Sequence, residues 1–244
     1  MGAIAAIPAR MASERLPGKP LQLLAGKPLI QRVYEVVQET GLFHEVLVLT
    51  DSNEIKDCVE GFGGFALLTS PDCQSGTERI LEIRDKLNQV IIVNVQGDEP
   101  FISKEALSNL INVFNNQKVE IASLMHRLDD STDLKSPNSV KVTVDLNKDA
   151  LYFSRSLIPY NRNKSSELDC PYYKHIGVYA FRKGILDLLA DLGPGILEHI
   201  EKLEQLRWLE HGFKIRMVNT DYKGFGIDTK EDLEKAELLF DSIR

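Results

Sequence analysis

Apolar residues in this chain follow two rhythms. Short unbroken runs, of the kind that form strands buried on both faces, alternate with stretches whose apolar positions recur every three or four residues. The first run covers residues 2–8 and ends at Pro8. After a polar loop, Pro28 suits the first turn of a helix whose Leu29, Val33, Val36 and Val37 share one face, and Gly41 ends it. The pattern continues with a strand at 45–50, a helix at 53–62, a strand at 65–68 and a helix at 77–87. Residues 90–95 form the most apolar strand of all, and a helix at 103–115 follows with Ser103 as its N-cap. Such alternation predicts a Rossmann-like α/β fold, with a mainly parallel sheet covered on both faces.

Beyond residue 118 the rhythm changes. Strands are predicted at 119–125, 140–145 and 150–153, the last two joined as a hairpin at Asn147-Lys148. Residues 160–173 are polar and irregular, which makes them the candidate mobile loop. A strand at 175–181, a helix at 197–211, a strand at 214–218 and a helix at 229–242 complete the chain. The reading is a single α/β domain: a first part over about 1–118, a smaller β-rich lobe over about 119–212, and a closing strand and helix over 213–244.

Composition narrows the function. An apolar share of 43% excludes a disordered chain, and no apolar run approaches the roughly 20 residues that span a bilayer. No basic stretch precedes the short apolar run at the start, so it does not read as a secretory signal. A net charge of −7 argues against nucleic acid or an anionic membrane as a general partner. Cys58, Cys73 and Cys170 are scattered without a CxxC, and the five histidines lack a ligand spacing. Both features argue against zinc, and the cysteines point to a reducing cytoplasm. The charge is uneven, however: residues 1–30 carry +3 and the remainder −10. A small anionic ligand therefore remains open.

Ligands of such sheets bind beyond the carboxyl ends of the strands. Residues 10–19 follow the first strand and hold Arg10, Ser13, Arg15, Gly18 and Lys19, a composition suited to a polyphosphate but without Walker A spacing. A solvated basic loop is the plain alternative. Gln96-Gly97-Asp98 follows the most apolar strand, where Asp98 could hold Mg²⁺ beside a phosphate or simply belong to a turn. Asp228, just before the last helix, could join it or merely favour the positive helix end. Gln74-Ser75-Gly76-Thr77 could cradle a base, ribose or phosphate, or only cap a helix.

Eight segments carry a more specific resemblance: RMASERLPGKPL (10–21), DCQSGTER (72–79), NVQGDEP (94–100), PNSVKV (137–142), LYFSRSLIP (151–159), KHIGVYAF (174–181), LEHIEKLEQLRWLEHG (197–212) and GIDTKEDL (226–233). Together, in order across nearly the whole chain, they resemble the CMP-Kdo synthetase family, the 3-deoxy-manno-octulosonate (Kdo) cytidylyltransferases. The resemblance implies the nucleotide-diphospho-sugar transferase type of fold, with a smaller β-rich lobe for sugar binding and dimerisation. It implies a cytoplasmic homodimer that converts CTP and Kdo to CMP-Kdo and pyrophosphate for lipopolysaccharide core synthesis, with Mg²⁺ as cofactor.

The same resemblance assigns residues. Lys19, Arg15, Asp98 and Asp228 would be catalytic, with Asp98 and Asp228 as metal ligands. Arg10, Ser13, Arg15, Lys19, Gln74, Ser75, Gly76, Thr77 and Arg79 would bind the nucleotide. Gln96, Arg155, His175, Tyr179, Glu204 and Gln205 would line the sugar pocket. On residue pattern alone, His175 reads more readily as a bonded structural histidine, Arg155 as an alternative partner of a nearby acid, and Glu204 and Gln205 as a solvated face. Two stretches depart from the family pattern: Gly193-Pro194-Gly195-Ile196, where a small hydroxyl residue is expected, and Tyr160-Asn161-Arg162-Asn163. They bear on the sugar and leave 8-amino-3,8-dideoxy-octulosonate as the alternative substrate. A sialic-acid-type cytidylyltransferase is disfavoured by the SGTER and EKLEQLR segments. A glycosyltransferase is disfavoured because Gln96-Gly97-Asp98 lacks the first acid of Asp-x-Asp, and retention of every charged candidate argues against an inactive nucleotide-binding regulator.

Overall fold

The apolar runs build the sheet they predict. A computed structural model describes residues 2–13, 15–128, 131–162 and 171–243, without the side chains of 131–132 and 241–243. Glu14, Cys170 and residues 163–170 of the candidate loop lie outside the described residues. Contacts divide the chain into two compact units, one running up to Leu107 and resuming at Gly224, the other covering Ser108–Lys223.

The first unit contains β1 (Ala3–Ala9), a small hairpin of β2 (Leu23–Leu24) and β3 (Lys27–Pro28), α1 (Leu29–Glu39), β4 (Glu45–Thr50), α2 (Asn53–Gly61), β5 (Phe65–Leu68), α3 (Gly76–Glu82) and β6 (Ile91–Asn94). The chain leaves along α4 (Lys104–Asn112) and returns for α9 (Lys230–Ile243). β1 pairs in parallel with β4 on one side and β6 on the other, and β5 extends the sheet beyond β4, again in parallel. Consecutive residues of β1 and β6 are buried, as continuous apolar runs require of strands covered on both faces. The helices carry local start signals. Ser52 caps α2 by accepting from the Ile55 N–H, Ser103 accepts from Ala106, and Thr229 and Asp232 bond each other's backbone at the start of α9.

The predicted helix at 77–87 is shorter than its pattern. α3 stops at Glu82, and a separate tight turn covers Arg84–Lys86. Likewise α4 ends in a tight turn at Val113–Asn115.

The second unit is β-rich. It contains β7 (Ile121–Arg127), α5 (Ser131–Lys135), β8 (Lys141–Val144), β9 (Ala150–Ser154), β10 (Tyr173–Arg182), α6 (Leu186–Ala190), α7 (Ile196–Glu201), α8 (Gln205–Glu210) and β11 (Ile215–Asn219). β7 lies between β11, parallel to it, and β10, antiparallel to it; β8 pairs with β10 and β9. The β8–β9 hairpin turns where the sequence places it. Lys148 takes φ 65°, and the Asp145 carboxylate accepts the N–H groups of Asn147 and Asp149, each at 2.8 Å.

One long helix was expected at 197–211, and two short ones are found. Lys202 adopts a left-handed conformation (φ 54°, ψ 48°) and ends α7, so Leu203, Leu206 and Trp208 turn inward while Ile196 and Ile200 stay exposed. A bidentate Glu198–Arg207 pair, both contacts at 2.7 Å, ties the two helices together. The charge-dense pattern concealed the break because no glycine marks it.

Candidate active site

All the strands of the first unit's sheet run the same way, so the segments leaving β1, β4, β5 and β6 emerge at one edge. There they surround a cavity of about 700 Å³. Its wall includes Arg10, Ser13, Arg15 and Lys19 after β1, Gln74, Ser75, Gly76 and Arg79 around the start of α3, Gln96 and Asp98 after β6, and Asp228 before α9. Every nucleotide, metal and catalytic candidate except Thr77 therefore reaches one cavity. Thr77 is buried, and its hydroxyl accepts from the Asn94 amide at 3.4 Å, while Asn94 accepts from Gln96 at 3.2 Å.

Two glycines allow the walls to approach. A Cβ on Gly97 would lie 2.7 Å from the Pro8 carbonyl oxygen, and one on Gly76 would lie 2.9 Å from the Pro8 ring. The segments carrying Asp98 and Ser75 thus press directly on the end of β1.

The centre of the site is a cation shared by two acids. The Lys19 Nζ donates to Asp98 Oδ2 at 2.6 Å and to Asp228 Oδ1 at 3.0 Å, and Arg15 reaches Asp228 Oδ2 at 2.9 Å. Burial would lower the Lys19 pKa, but Asp98 and Asp228 outweigh it and hold the ammonium above its usual value. Burial likewise works to raise Asp228, yet Lys19 and Arg15 leave its carboxyl below the usual range. Lys19 and Asp228 therefore remain charged at neutral pH. Two carboxylates within reach of one atom are close enough for one small cation to bridge. Among the described residues no third acid, histidine or cysteine joins them. Hard oxygen donors in that number fit Mg²⁺, which completes its shell with water and phosphate oxygens.

Arg79 is committed differently. It is almost fully buried; its guanidinium donates to Asp51 Oδ2 at 2.7 Å, Thr69 Oγ1 at 2.6 Å and the Ser70 carbonyl at 3.1 Å. It fixes the 69–75 loop to the end of β4. Ser75 caps α3, accepting from the Glu78 N–H at 3.1 Å, while Glu78 accepts from the Gln74 N–H at 2.6 Å. The capping reading of Ser75 is therefore present alongside its place in the wall.

In the second unit, His175, Tyr179 and Trp208 form an aromatic cluster with Phe153 and Phe181. His175 Nε2 lies 2.9 Å from the Ser123 hydroxyl, and burial pushes its pKa down to about 3. Burial, with the Glu204 charge second, holds the Tyr179 phenol protonated far into the alkaline range. Gln205 is 4% exposed, and its Nε2 has no hydrogen-bond partner among the described residues. Arg155 donates to the carbonyls of Glu201 (2.9 Å), Pro137 (3.0 Å) and Lys202 (3.4 Å), closing the carboxyl end of α7. Its partners are backbone oxygens, with the Glu201 carboxylate bonded instead by Ser154 and the Arg155 N–H.

Three structurally prominent residues escaped the sequence reading. Asp51 holds Arg79, Glu99 bonds the Phe225 N–H, and Lys141 is fully buried with its ammonium on the Ser136 and Ser139 carbonyls. Only Asp51 had a signal of its own, an acid directly after a strand. The other two lie inside recognised segments as unremarked charges.

Comparison with known proteins identifies the family and the fold. Residues 4–215 match the family described as cytidylyltransferase. The 3-deoxy-manno-octulosonate cytidylyltransferase of Porphyromonas gingivalis is 47% identical over 241 residues, covering 96% of this chain and 94% of its own. That of Flavobacterium johnsoniae is 47% identical over 246 residues, covering 100% of both. A solved structure of CMP:2-keto-3-deoxy-manno-octonic acid synthetase complexed with CTP matches 100% of both chains, with a TM-score of 0.94 and 39% identity. The fold is thus the mixed α/β, mainly parallel-sheet fold of that synthetase. The chain belongs to the cytidylyltransferase family, on the branch of the 3-deoxy-manno-octulosonate cytidylyltransferases.

Proposed function

We propose that the protein activates Kdo with CTP, forming CMP-Kdo and pyrophosphate. The carrying observation is the cavity in which Lys19 and Arg15 meet Asp98 and Asp228: cations for a triphosphate beside acids for its metal. The anomeric 2-hydroxyl oxygen of the sugar bonds to the α-phosphorus as the bond to the bridging oxygen breaks. The electron pair leaves with pyrophosphate, and the hydroxyl proton passes to solvent. Such a transfer needs alignment and charge neutralisation, not a side-chain nucleophile.

Arg10, Arg15 and Lys19 would meet the phosphates, and Lys19 would exchange its carboxylate partners for the negative charge that develops on the leaving group. Gln74, Ser75 and Gly76 would face the cytidine part, with Arg79 holding their loop from beneath. Asp98 and Asp228 would hold Mg²⁺, which supplies Lewis-acid polarisation of the α-phosphate when bound.

Gln96, Arg155, His175, Tyr179, Glu204 and Gln205 would recognise the sugar. The buried, unpartnered Gln205 amide supports a polar ligand on that side. Exposed Ile196 and Ile200, one turn apart on α7, support a homodimer. Free Cys58 and Cys73 fit a reducing cytoplasm.

The test is pyrophosphate release with CTP, Mg²⁺ and, in turn, Kdo, its 8-amino analogue and sialic acid. Release with Kdo is expected. Release with neither octulosonate overturns the reading.

A further inference from the structure

Asp98 and Asp228 are 130 residues apart in sequence, so their spacing depends on how segment 224–228 is fastened to segment 98–101. The fastening is visible. The Ile227 N–H donates to the Asp98 carbonyl at 3.0 Å, and the Phe225 N–H donates to Glu99 Oε2 at 3.2 Å. The Phe225 ring meets Phe101 edge-on, with centroids 5.6 Å apart. A Cβ on Gly226 would make only an ordinary contact with Glu99 Oε1, at 3.7 Å. Glu99 itself is 8% exposed.

Glu99 is buried and directly follows Asp98 in the chain. Its geometry has a use, because the residue it grips is three positions before Asp228.

We propose that Glu99 is a positioning residue. By holding the 224–228 strap, it sets the separation at which Asp98 and Asp228 share a cation. The inference rests on those two aspartates binding the metal that accompanies CTP. Glu99 acts through the backbone N–H it accepts, so an uncharged acceptor of the same shape should serve nearly as well.

Mn²⁺ binding to the enzyme with CTP and no sugar, followed by electron paramagnetic resonance, separates the possibilities. Glu99→Ala should weaken metal binding about tenfold, as loss of a partner that orients a metal ligand does. It should leave the KM for Kdo unchanged. Glu99→Gln, which keeps an acceptor oxygen, should stay within about threefold of wild type. If Glu99→Ala does not fold, Glu99→Asp carries the test: it keeps the charge, shortens the reach and should weaken the metal nearly as much.

Metal binding in Glu99→Ala or Glu99→Asp equal to wild type overturns the proposal. So does a Glu99→Gln protein that melts like wild type yet loses metal as Glu99→Ala does, since the charge would then be the active property. Asp98→Asn is the control: unchanged metal binding there overturns the metal reading of the aspartates instead.

Discussion

The two units treat polar side chains in opposite ways. Around the cavity of the first, cations and anions from distant loops pair with one another: Lys19 with Asp98 and Asp228, Arg15 with Asp228. In the second, the candidate sugar residues are quietened. Burial keeps His175 neutral and Tyr179 protonated, and Arg155 spends its donors on backbone carbonyls. Mutually paired charge suits a triphosphate and a metal, which can replace one ionic partner with another. Uncharged polar groups held by a buried aromatic cluster suit the hydroxyl groups of a sugar, whose recognition depends on shape and hydrogen bonds.

The sharpest way to break this comparison is to ask whether the first unit's charges serve ligands or the fold. Arg79 and Asp51 form its most buried pair among the described residues, with side chains 3% and 15% exposed. Arg79→Met should destabilise the protein by about 3–5 kcal/mol, because the Asp51 carboxylate is left buried without its cation. Asp51→Asn added to that variant should restore part of the loss. Urea unfolding of the single and double variants decides it, and a loss below ~1 kcal/mol would show that Arg79 is free to serve the nucleotide.

Asp98→Asn tests the opposite role. Asp98 is partly exposed and shares Lys19 with Asp228, so removing its charge should leave stability nearly unchanged. Turnover should fall by ~10²-fold or more, about 2.7 kcal/mol of transition-state stabilisation. Steady-state kinetics beside a melting curve reads both quantities. Near-normal turnover would remove Asp98 from the mechanism and leave Lys19 and Arg15 as the operative groups.

What the sequence disclosed follows the same division. The parallel strands β1, β4, β5 and β6 were legible because each is a continuous apolar run, and the candidate site was legible because most of its residues come soon after those strands, whereas the small β2–β3 hairpin lay unread in the polar loop. Lys19 could be placed on the basic loop after β1, but its bonds to Asp98 and Asp228 could not, since they join residues 79 and 209 positions away. Nor does linear pattern distinguish a charge that faces a ligand from one that holds a loop, which is why Arg79 and Arg155 were read through the family resemblance alone. The break at Lys202 was invisible for a related reason. A lysine in left-handed conformation has no sequence signature, and only the burial of Leu203 and Leu206 against the exposure of Ile200 shows the change of face.

The smallest effect probes the quiet side. With a pKa of about 3 in the folded chain against 6.5 for an ordinary histidine, His175 stays neutral while its unfolded counterpart takes up a proton. Unfolded molecules therefore bind more protons than folded ones between those values, and stability must fall as pH drops through that window. The side chain keeps some solvent contact, so the loss by pH 4.5 should be ~1–2 kcal/mol, below the full linkage value. His175→Gln cannot take up that proton. Urea unfolding at pH 7 and pH 4.5 should show wild type losing more stability than the variant, by that margin. Equal losses would mean that the imidazole is protonated in the folded protein. The second unit would then present a cation, as the first does, and the proposed contrast between an ionic nucleotide side and a neutral sugar side would fail.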